Sequence, residues 1–422
     1  MRVNRRWRRA LVAVAGAMAV AVGLSGCTGQ PSRAETPQQV EAELPGETVE
    51  QLEAAVTHAM AATGSSGAIV GVWVPWAGTW VTGLGTTSVD GDDPVTTDMA
   101  FRIATLTRPM TCDALYRLAE EGVVGLDDPV SAHVPSSPDL TDVTLRHLCD
   151  GTAGLVPSVD LLESNLLRTP ERQWHAREVA AAGLGKGRSE PGVAFRDSDT
   201  GYLLLGLALQ NASGKSAAEL IRQYVAEPLG LESTRLPGRA AADPGSPALP
   251  GFRSDSADRE AGCVAPREFT RMSASFGFTD SGAVSTISEL GAYIQALAAE
   301  AKDGGEFTER WSAARPVDPE GDTWYQYAGG TYIAGSMVGQ QGRVPGYLTS
   351  AYADTDNGLT VAVVLNNSAG SKEAVGYLAR ELAALVSKVP APDGAPAPEF
   401  GLPWTAEDYH QRIADSAVCP LG

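Results

Sequence analysis

The chain has 422 residues, of which 43% are hydrophobic and 20% are charged. This composition is typical of a folded globular protein and excludes a wholly disordered chain. Asp and Glu total 51 against 32 Lys and Arg, which gives a formal charge of −19. So acidic a protein is a poor partner for nucleic acid, whose phosphates require a basic surface.

The N-terminus has the pattern of an export signal. Residues 1–9 carry five arginines, and an apolar run of 15 residues follows from Ala10 to Leu24. That run is too short for a transmembrane helix but suits the apolar core of a signal peptide. The next residues, up to Cys27, read LSGC and resemble the bacterial lipobox. We therefore expect residues 1–26 to be a lipoprotein signal peptide, and Cys27 to carry the lipid that anchors the exported protein to the outer face of the cell membrane. An ordinary secretory signal with a chance cysteine is the alternative.

The spacing of apolar residues predicts strands at both ends of the remaining chain and helices between them. In chain order the predicted elements are a flexible polar spacer over 27–47, a helix over Val49–Ala62, strands over Ala68–Val74 and Thr79–Gly83, helices over Gly201–Leu209 and Ser216–Ala226, strand regions over Tyr325–Val338 and Tyr347–Asn366, a helix over Lys372–Lys388, and a Pro-rich tail over 391–422. This order predicts one sheet built from distant segments, with a helical insertion at about 135–265.

Residues that carry familiar chemistry are sparse. The sequence has no Gly-x-Ser-x-Gly and no His-Glu-x-x-His, so neither an α/β-hydrolase nor a zincin is indicated. The five histidines are dispersed and none lies at metal-ligand spacing, so no metal or other cofactor is implied. Apart from Cys27, the cysteines are Cys112, Cys149, Cys263 and Cys419. In an oxidising compartment they allow three pairings, with free buried thiols as the alternative.

Four short segments, in this order along the chain, resemble the landmarks of a known enzyme family. Residues 101–111, FRIATLTRPMT, are similar to FRIGSxTKxFT, and residues 151–155, GTAGL, to the end of LRHLLTHTSGL. Residues 195–206, FRDSDTGYLLLG, are similar to FxYSNxGYxLLG, and residues 339–347, GQQGRVPGY, to GHxGxxPGY. The chain thus resembles the class C-type, penicillin-binding-protein-like branch of the serine β-lactamase and D-alanyl-D-alanine carboxypeptidase superfamily. The resemblance implies an α+β fold over residues 48–390, with an antiparallel sheet flanked by helices and an all-helical subdomain.

The chain departs from that family where the acylation chemistry lies. The nucleophilic Ser is Thr105, and the Lys one helical turn later is Arg108. An Arg, with a pKa above about 12, cannot serve as the neutral base. None of the five lysines has Ser or Thr three residues before it, so the motif is not displaced along the chain. Loss of one member of such a nucleophile–base unit costs about 10⁴–10⁶ in turnover. We therefore expect the family's acylation chemistry to be absent or nearly so.

The other motif positions have also changed. The Tyr and Asn of the YSN motif are Asp197 and Asp199, with Ser198 kept between them. The strand His is Gln340, although Gly342 is retained. In the family the Tyr and Asn side chains point at the Lys. We therefore expect both carboxylates to point at the arginine that replaces it and to form a buried Asp–Arg–Asp cluster.

Three interpretations follow from these substitutions. The first, which we favour, is a non-catalytic surface protein that binds D-alanyl peptides of peptidoglycan, or a cell-envelope protein, with the Arg343 side chain and the N–H groups of Thr105 and Arg343 facing a peptide carboxylate. The second is an active amidase, esterase or peptidase with Thr105 as nucleophile and Asp197 as general base, although an Arg-bound Asp has a lowered pKa and is a weak base. The third is a scaffold with an occluded pocket.

The resemblance also bears on the cysteines. It places the helix Leu145–Cys149 beside the helix that carries Thr105 and Cys112, which implies a Cys112–Cys149 disulfide at the rim of the pocket. Cys263 is then left to pair with Cys419, and that bond would hold the C-terminal tail against the folded domain.

Overall fold

The computed structural model describes residues 37–137 and 139–421. The predicted signal peptide, Cys27 and the first part of the predicted spacer lie outside these residues. Within the described ranges, no helix is both long enough and apolar enough to cross a bilayer.

Fourteen strands lie in the described ranges. They are β1 (Gly67–Val74), β2 (Gly78–Gly85), β3 (Phe101–Arg102), β4 (Phe252–Arg253), β5 (Arg267–Glu268), β6 (Val284–Ser285), β7 (Lys302–Asp303), β8 (Glu306–Phe307), β9 (Arg315–Pro316), β10 (Tyr325–Ala328), β11 (Thr331–Ala334), β12 (Met337–Val344), β13 (Tyr347–Asp354) and β14 (Thr360–Leu365).

Eight of these strands form one antiparallel sheet at the centre of the fold. Its order is β2-β1-β14-β13-β12-β11-β10-β9, and the other six strands form the short pairs β3–β6, β4–β5 and β7–β8. The N-terminal hairpin joins the C-terminal strands where β1 pairs with β14, with Ala68 opposite Leu365. The predicted sheet of distant segments is therefore confirmed.

The described ranges also contain fifteen α-helices. They are α1 (Gly46–Thr63), α2 (Thr107–Glu120), α3 (Val130–His133), α4 (Leu145–Cys149), α5 (Val159–Arg168), α6 (Ala176–Leu184), α7 (Asp199–Ser213), α8 (Ala217–Ile221), α9 (Glu227–Leu229), α10 (Ser256–Glu260), α11 (Phe278–Ser281), α12 (Ile287–Ala299), α13 (Glu309–Ser312), α14 (Lys372–Val386) and α15 (Ala406–Asp415).

Most of the predicted helices have clear local causes. Helix α1 ends at Gly64, whose φ of 68° is the left-handed conformation that closes a helix and favours glycine. Helix α14 begins after Ser371, whose side chain accepts a hydrogen bond from the backbone N–H of Ala374. The predicted helix over Ser216–Ala226 is an α-helix only as far as Ile221, and the chain continues as a π-helical turn over Arg222–Ala226.

Helices cover both faces of the large sheet and create two apolar layers. On one face, Leu52 of α1 and Leu378 of α14 belong to a single buried cluster with sheet residues. On the other face, Leu290 of α12 packs in a second cluster with Ile69 of β1. Burial of both faces explains why β14 is apolar at nearly every position and does not alternate.

A third apolar cluster lies within the helical part of the chain and includes Leu148 of α4 and Leu203 of α7. Helix α2 contributes to two clusters, because Met110 packs on the sheet side and Leu115 on the helical side. The N-terminal end of α2 therefore lies at the junction between the sheet and the helical subdomain.

The C-terminal tail is part of the folded domain. Its helix α15, which the sequence pattern did not predict, starts at a capping box in which Thr405 and Asp408 bond each other's backbone N–H. Ile413 of α15 is fully buried in the cluster of α1 and α14. The Cys263–Cys419 disulfide, with Cα atoms 5.9 Å apart, confirms the predicted covalent tether of the tail.

Candidate functional site

Thr105 lies in a single 3₁₀ turn that leads into α2 and is held tightly against β12. Ala104 before it has a φ of 51°, a conformation that a residue with a side chain adopts only when its surroundings impose it. The Thr105 hydroxyl donates a hydrogen bond of 2.7 Å to the carbonyl of Gln341, and the residue is only 8% exposed. A Cβ at Gly342 would lie 2.3 Å from Oγ1 of Thr105, so the retained glycine permits this close approach.

Arg108 follows one helical turn later and is buried between two carboxylates. Its Nη1 donates to Oδ1 of Asp197 at 2.6 Å, and its Nε donates to Oδ1 of Asp280 at 2.8 Å. The guanidinium lies 4.6 Å from the ring centre of Tyr202. Burial disfavours its charge, but the carboxylates of Asp197 and Asp280 outweigh burial and hold the pKa of Arg108 well above its ordinary value.

The predicted Asp–Arg–Asp cluster is present, but one predicted member was wrong. Asp199 does not pair with Arg108; its Oδ1 instead accepts hydrogen bonds from the backbone N–H of Ser158 at 2.7 Å and of Val159 at 3.3 Å. The reason is that α7 begins at Asp199, which turns this side chain towards the start of α5. Burial, together with the nearby Asp280, raises the pKa of Asp199 to about 7.

A lysine does reach the site, although the local sequence pattern gave no sign of it. Lys372, at the start of α14, contacts the second oxygen of Asp197, and its Nζ donates to the hydroxyl of Tyr332 at 3.0 Å. Burial works against the charge of the ammonium group, but Tyr332 and Asp197 reverse this and hold the pKa of Lys372 well above its ordinary value. The lysine is therefore a cation and not a base.

The four charged groups form an ionic row in which the signs alternate: Lys372, Asp197, Arg108 and Asp280. Burial alone would raise the pKa of Asp197, but the two cations on either side hold it well below its ordinary value. A carboxylate of so low a pKa is a poor proton acceptor. Sequence inspection missed Asp280 and Lys372, because neither has a local motif that ties it to α2.

The other predicted site residues differ in whether their polar groups already have hydrogen-bond partners. Gln340 is fully buried and has no group left for a ligand, since its amide bonds the Tyr327 hydroxyl, the Gly330 carbonyl and the backbone N–H of Gln341. Ser198 is also buried, and its hydroxyl has no hydrogen-bond partner within the described part of the chain.

Arg343 is a half-buried polar group that lies next to the site along β12. It follows Gly342 on β12, its side chain is 34% exposed, and its Nη2 donates to Oε1 of Glu163 at 3.1 Å. This side chain is not part of the ionic row.

The second disulfide braces the helix that carries the site. Cys112 of α2 is bonded to Cys149 of α4, with Cα atoms 5.7 Å apart, as the sequence analysis predicted. The bond lies close to the site, since Gly330, whose carbonyl accepts from Gln340, approaches the Cys112 sulfur. It links the 3₁₀ turn of Thr105, through α2, to the helical subdomain.

The hydroxyl of Thr105 is hydrogen-bonded to the main chain and not to a base. A hydroxyl has one proton, and that of Thr105 is donated to a carbonyl rather than to a base. The residues at the family's base positions, Arg108 and Asp197, are an ion pair. The arrangement joins several chain segments, and the half-buried guanidinium of Arg343 lies at its edge.

Comparison with known proteins agrees with this architecture. The Beta-lactamase family profile matches residues 52–385. This chain belongs to the Beta-lactamase family. Its α+β fold, an antiparallel sheet with flanking helices and a helical subdomain, is the family's β-lactamase/transpeptidase-like fold, as predicted.

Individual relatives match over shorter stretches. Penicillin-binding protein 4* of Bacillus subtilis (strain 168) is 31% identical over 156 residues, which is 35% of this chain and 32% of the relative. D-alanyl-D-alanine-carboxypeptidase/endopeptidase AmpH of Escherichia coli (strain K12) is 32% identical over 144 residues, which is 32% of this chain and 37% of the relative. The chain thus spans about a third of the length of these two relatives.

One solved structure shows the same fold over most of both chains. The D-amino acid amidase from Ochrobactrum anthropi SV3, complexed with D-phenylalanine, has a TM-score of 0.65 and is 23% identical. The match covers 78% of this chain and 94% of that chain.

Proposed function

We propose that this member of the Beta-lactamase family is a non-hydrolysing binding protein of the cell surface. The observation that carries the loss of hydrolysis is the ionic row. Asp197, at the position of the family's Tyr, is fixed between Arg108 and Lys372, while the Thr105 proton is directed at a carbonyl. Neither the nucleophile nor the base is then available for acyl transfer.

The proposed ligand is a peptide that ends in D-alanine with a free carboxylate. AmpH is named for its action on D-alanyl-D-alanine, and the amidase of similar fold is named for D-amino acids. In this chain the half-buried guanidinium of Arg343 is the group suited to a terminal carboxylate. A protein partner that presents a C-terminal carboxylate would use the same contact.

We also propose that the protein is exported and anchored by lipid at Cys27. The basic leader, the apolar run and the LSGC segment support this proposal. Two disulfides in the described residues suit an oxidising compartment outside the cytoplasm. Labelling of bacteria with a clickable fatty acid tests it. The protein should incorporate the label, and Cys27→Ser should abolish it; equal labelling of both proteins would contradict the anchor.

The test of hydrolysis is the intact mass of the mature domain after exposure to penicillin and to a fluorophosphonate probe. We expect no adduct, because Thr105 lacks a base. Thr105→Ala is the matched variant. An adduct on the wild type that is missing from this variant would show that Thr105 is a nucleophile, and the non-hydrolysing proposal would fall.

The test of binding is thermal stabilisation by N-acetyl-D-Ala-D-Ala, with N-acetyl-L-Ala-L-Ala as the control. A ligand that binds only the folded state stabilises it by RT ln(1 + [L]/Kd), which is about 2.7 kcal/mol at one hundred times Kd. We expect the D-peptide to raise the Tm and the L-peptide to have little effect.

A scaffold without a ligand is the second candidate, and one observation favours it. Thr105 is almost fully covered, and Gly342 approaches it so closely that no side chain fits between them. The pocket floor is therefore closed. The absence of stabilisation by either peptide would support the scaffold against the binding protein.

A further inference from the structure

A glutamate of the helical subdomain lies against the arginine that follows Gly342. Oε1 of Glu163, on α5, accepts a hydrogen bond of 3.1 Å from Nη2 of Arg343 and lies 3.4 Å from Nη2 of Arg253, at the end of β4. One carboxylate oxygen is thus shared by two guanidinium groups. Arg343 follows Gly342, which approaches Thr105, so the backbone of this arginine lies next to the family's active-site position.

The two arginines carry more positive charge than one glutamate neutralises. Burial lowers the pKa of Arg253, and although Glu163 opposes this shift, Arg343 and Arg259 add to it. Arg253 is also fixed in place, since its Nη1 donates to the carbonyl of Ser368 at 3.0 Å. Two guanidinium groups with a shared acceptor are the arrangement that recognises a carboxylate.

Helix α5, which carries the glutamate, is held by little apolar surface. Of its residues Val159–Arg168 only Leu166 is buried; Val159 and Leu162 are partly buried against the helical cluster, and Leu161 is 39% exposed. Its first turn is attached by hydrogen bonds from the Ser158 and Val159 N–H groups to Asp199, and its last turn by the bond from Arg267 to the Leu167 carbonyl. The free energy needed to displace an element with few buried apolar contacts is lower than that for a core helix.

We propose that Glu163 is an internal stand-in for the ligand's carboxylate: it occupies the Arg253–Arg343 pair in the free protein and is displaced when a peptide carboxylate binds. This inference rests on the proposed binding function and adds its regulation. The glutamate of helix α5 then competes with the ligand for the two arginines. Ligand affinity depends on how stably α5 packs against the domain, and a partner that displaces α5 would raise that affinity.

The experiment compares the wild type with Glu163→Gln, which keeps the size of the side chain but removes its charge. The probes are N-acetyl-D-Ala-D-Ala, its C-terminal amide and N-acetyl-L-Ala-L-Ala, and the measured quantity is Kd by calorimetry. We expect Glu163→Gln to bind the D-peptide acid about three- to tenfold more tightly than the wild type, because a partly exposed competing charge is removed. The Kd of the amide should not change.

Two further variants keep the result interpretable. Glu178→Gln is the matched control, since Glu178 pairs with Arg172 on the surface and both side chains are 45% exposed; it should bind like the wild type. Arg253→Ala should weaken binding of the acid and remove the gain given by Glu163→Gln.

The outcomes separate this inference from the function on which it rests. Equal Kd values of the wild type and Glu163→Gln for a D-peptide acid that both bind would overturn the role of Glu163 and leave the binding function intact. An equal gain for the L-peptide and D-peptide acids would uphold Glu163 as the stand-in but overturn D-alanyl specificity. Failure of all variants to bind any probe would overturn both.

Discussion

The ionic row makes Asp197→Asn the most informative single substitution. The change keeps the shape of the side chain but removes the negative charge between Arg108 and Lys372. Two cations then face each other across a neutral amide. Arg108 retains Asp280, so its charge is not left wholly uncompensated.

The expected cost can be worked out from the contacts. Removing one partner of a buried ion pair costs about 3–5 kcal/mol. The Asp197 side chain is 33% exposed, and Arg108 keeps its second carboxylate, so solvent screening reduces the expected loss to about 2–3 kcal/mol. With an unfolding entropy of about 2 cal/mol/K per residue, or about 0.8 kcal/mol/K for a domain of this size, the Tm should fall by about 2.5–4 °C.

The loss of stability caused by Asp197→Asn should also depend on pH in a defined direction. The pKa of Asp197 is lower in the folded protein than in the unfolded chain, where an Asp titrates near about 3.9. Such a group stabilises the fold fully above its unfolded pKa, and this stabilisation disappears as the pH falls through the folded pKa. The gap between wild type and Asp197→Asn should therefore be constant from about pH 5 to pH 8 and should shrink below about pH 4.

The assay is thermal unfolding of the mature domain with its disulfides intact, followed by tryptophan fluorescence across this pH range. Asp142→Asn is the matched control, because Asp142 forms an exposed pair with Arg188 and its loss should cost about 1 kcal/mol or less. A Tm for Asp197→Asn equal to the wild type at pH 7, or a gap that widens on acidification, would refute the ionic row as a stabilising element.

Two further predictions concern other parts of the site and the tail. Burial raises the pKa of Asp199 to about 7. Between about pH 4 and pH 7 the folded state therefore binds more protons than the unfolded chain. The contribution of Asp199 to the free energy of unfolding falls as the pH rises through this window. The Tm of Asp199→Asn relative to wild type should therefore increase over that window; a flat or falling difference contradicts the burial argument. Joint replacement of Cys263 and Cys419 by Ser should increase hydrogen exchange in α15 and leave α2 protected, because only the tail loses its covalent tether. Unchanged protection of α15 would show that its apolar contacts suffice.

The sequence by itself determined the longer elements of the sheet and of its flanking helices, and the identity of the changed motif positions. Apolar periodicity placed α1, the β1–β2 hairpin and α14 close to their observed limits, since a buried face imposes its repeat on local sequence. The resemblance placed Thr105 and Arg108 on one helix; the structure has Thr105 in the 3₁₀ turn that leads into α2 and Arg108 in α2. The sequence was also enough to show that an arginine at the position of the lysine needs carboxylate partners.

Only the tertiary structure decided which groups those partners are. In an extended chain Asp197 and Asp199 would lie on the same side, but α7 starts at Asp199 and turns its side chain towards α5. Asp280 and Lys372 come from elements 172 and 175 residues away from their partners. Local patterns specify which residues face a core, but they carry no information on which distant side chains meet there. That depends on how the sheet and the helical subdomain pack around the start of α2, where the charges of four separate segments must neutralise one another.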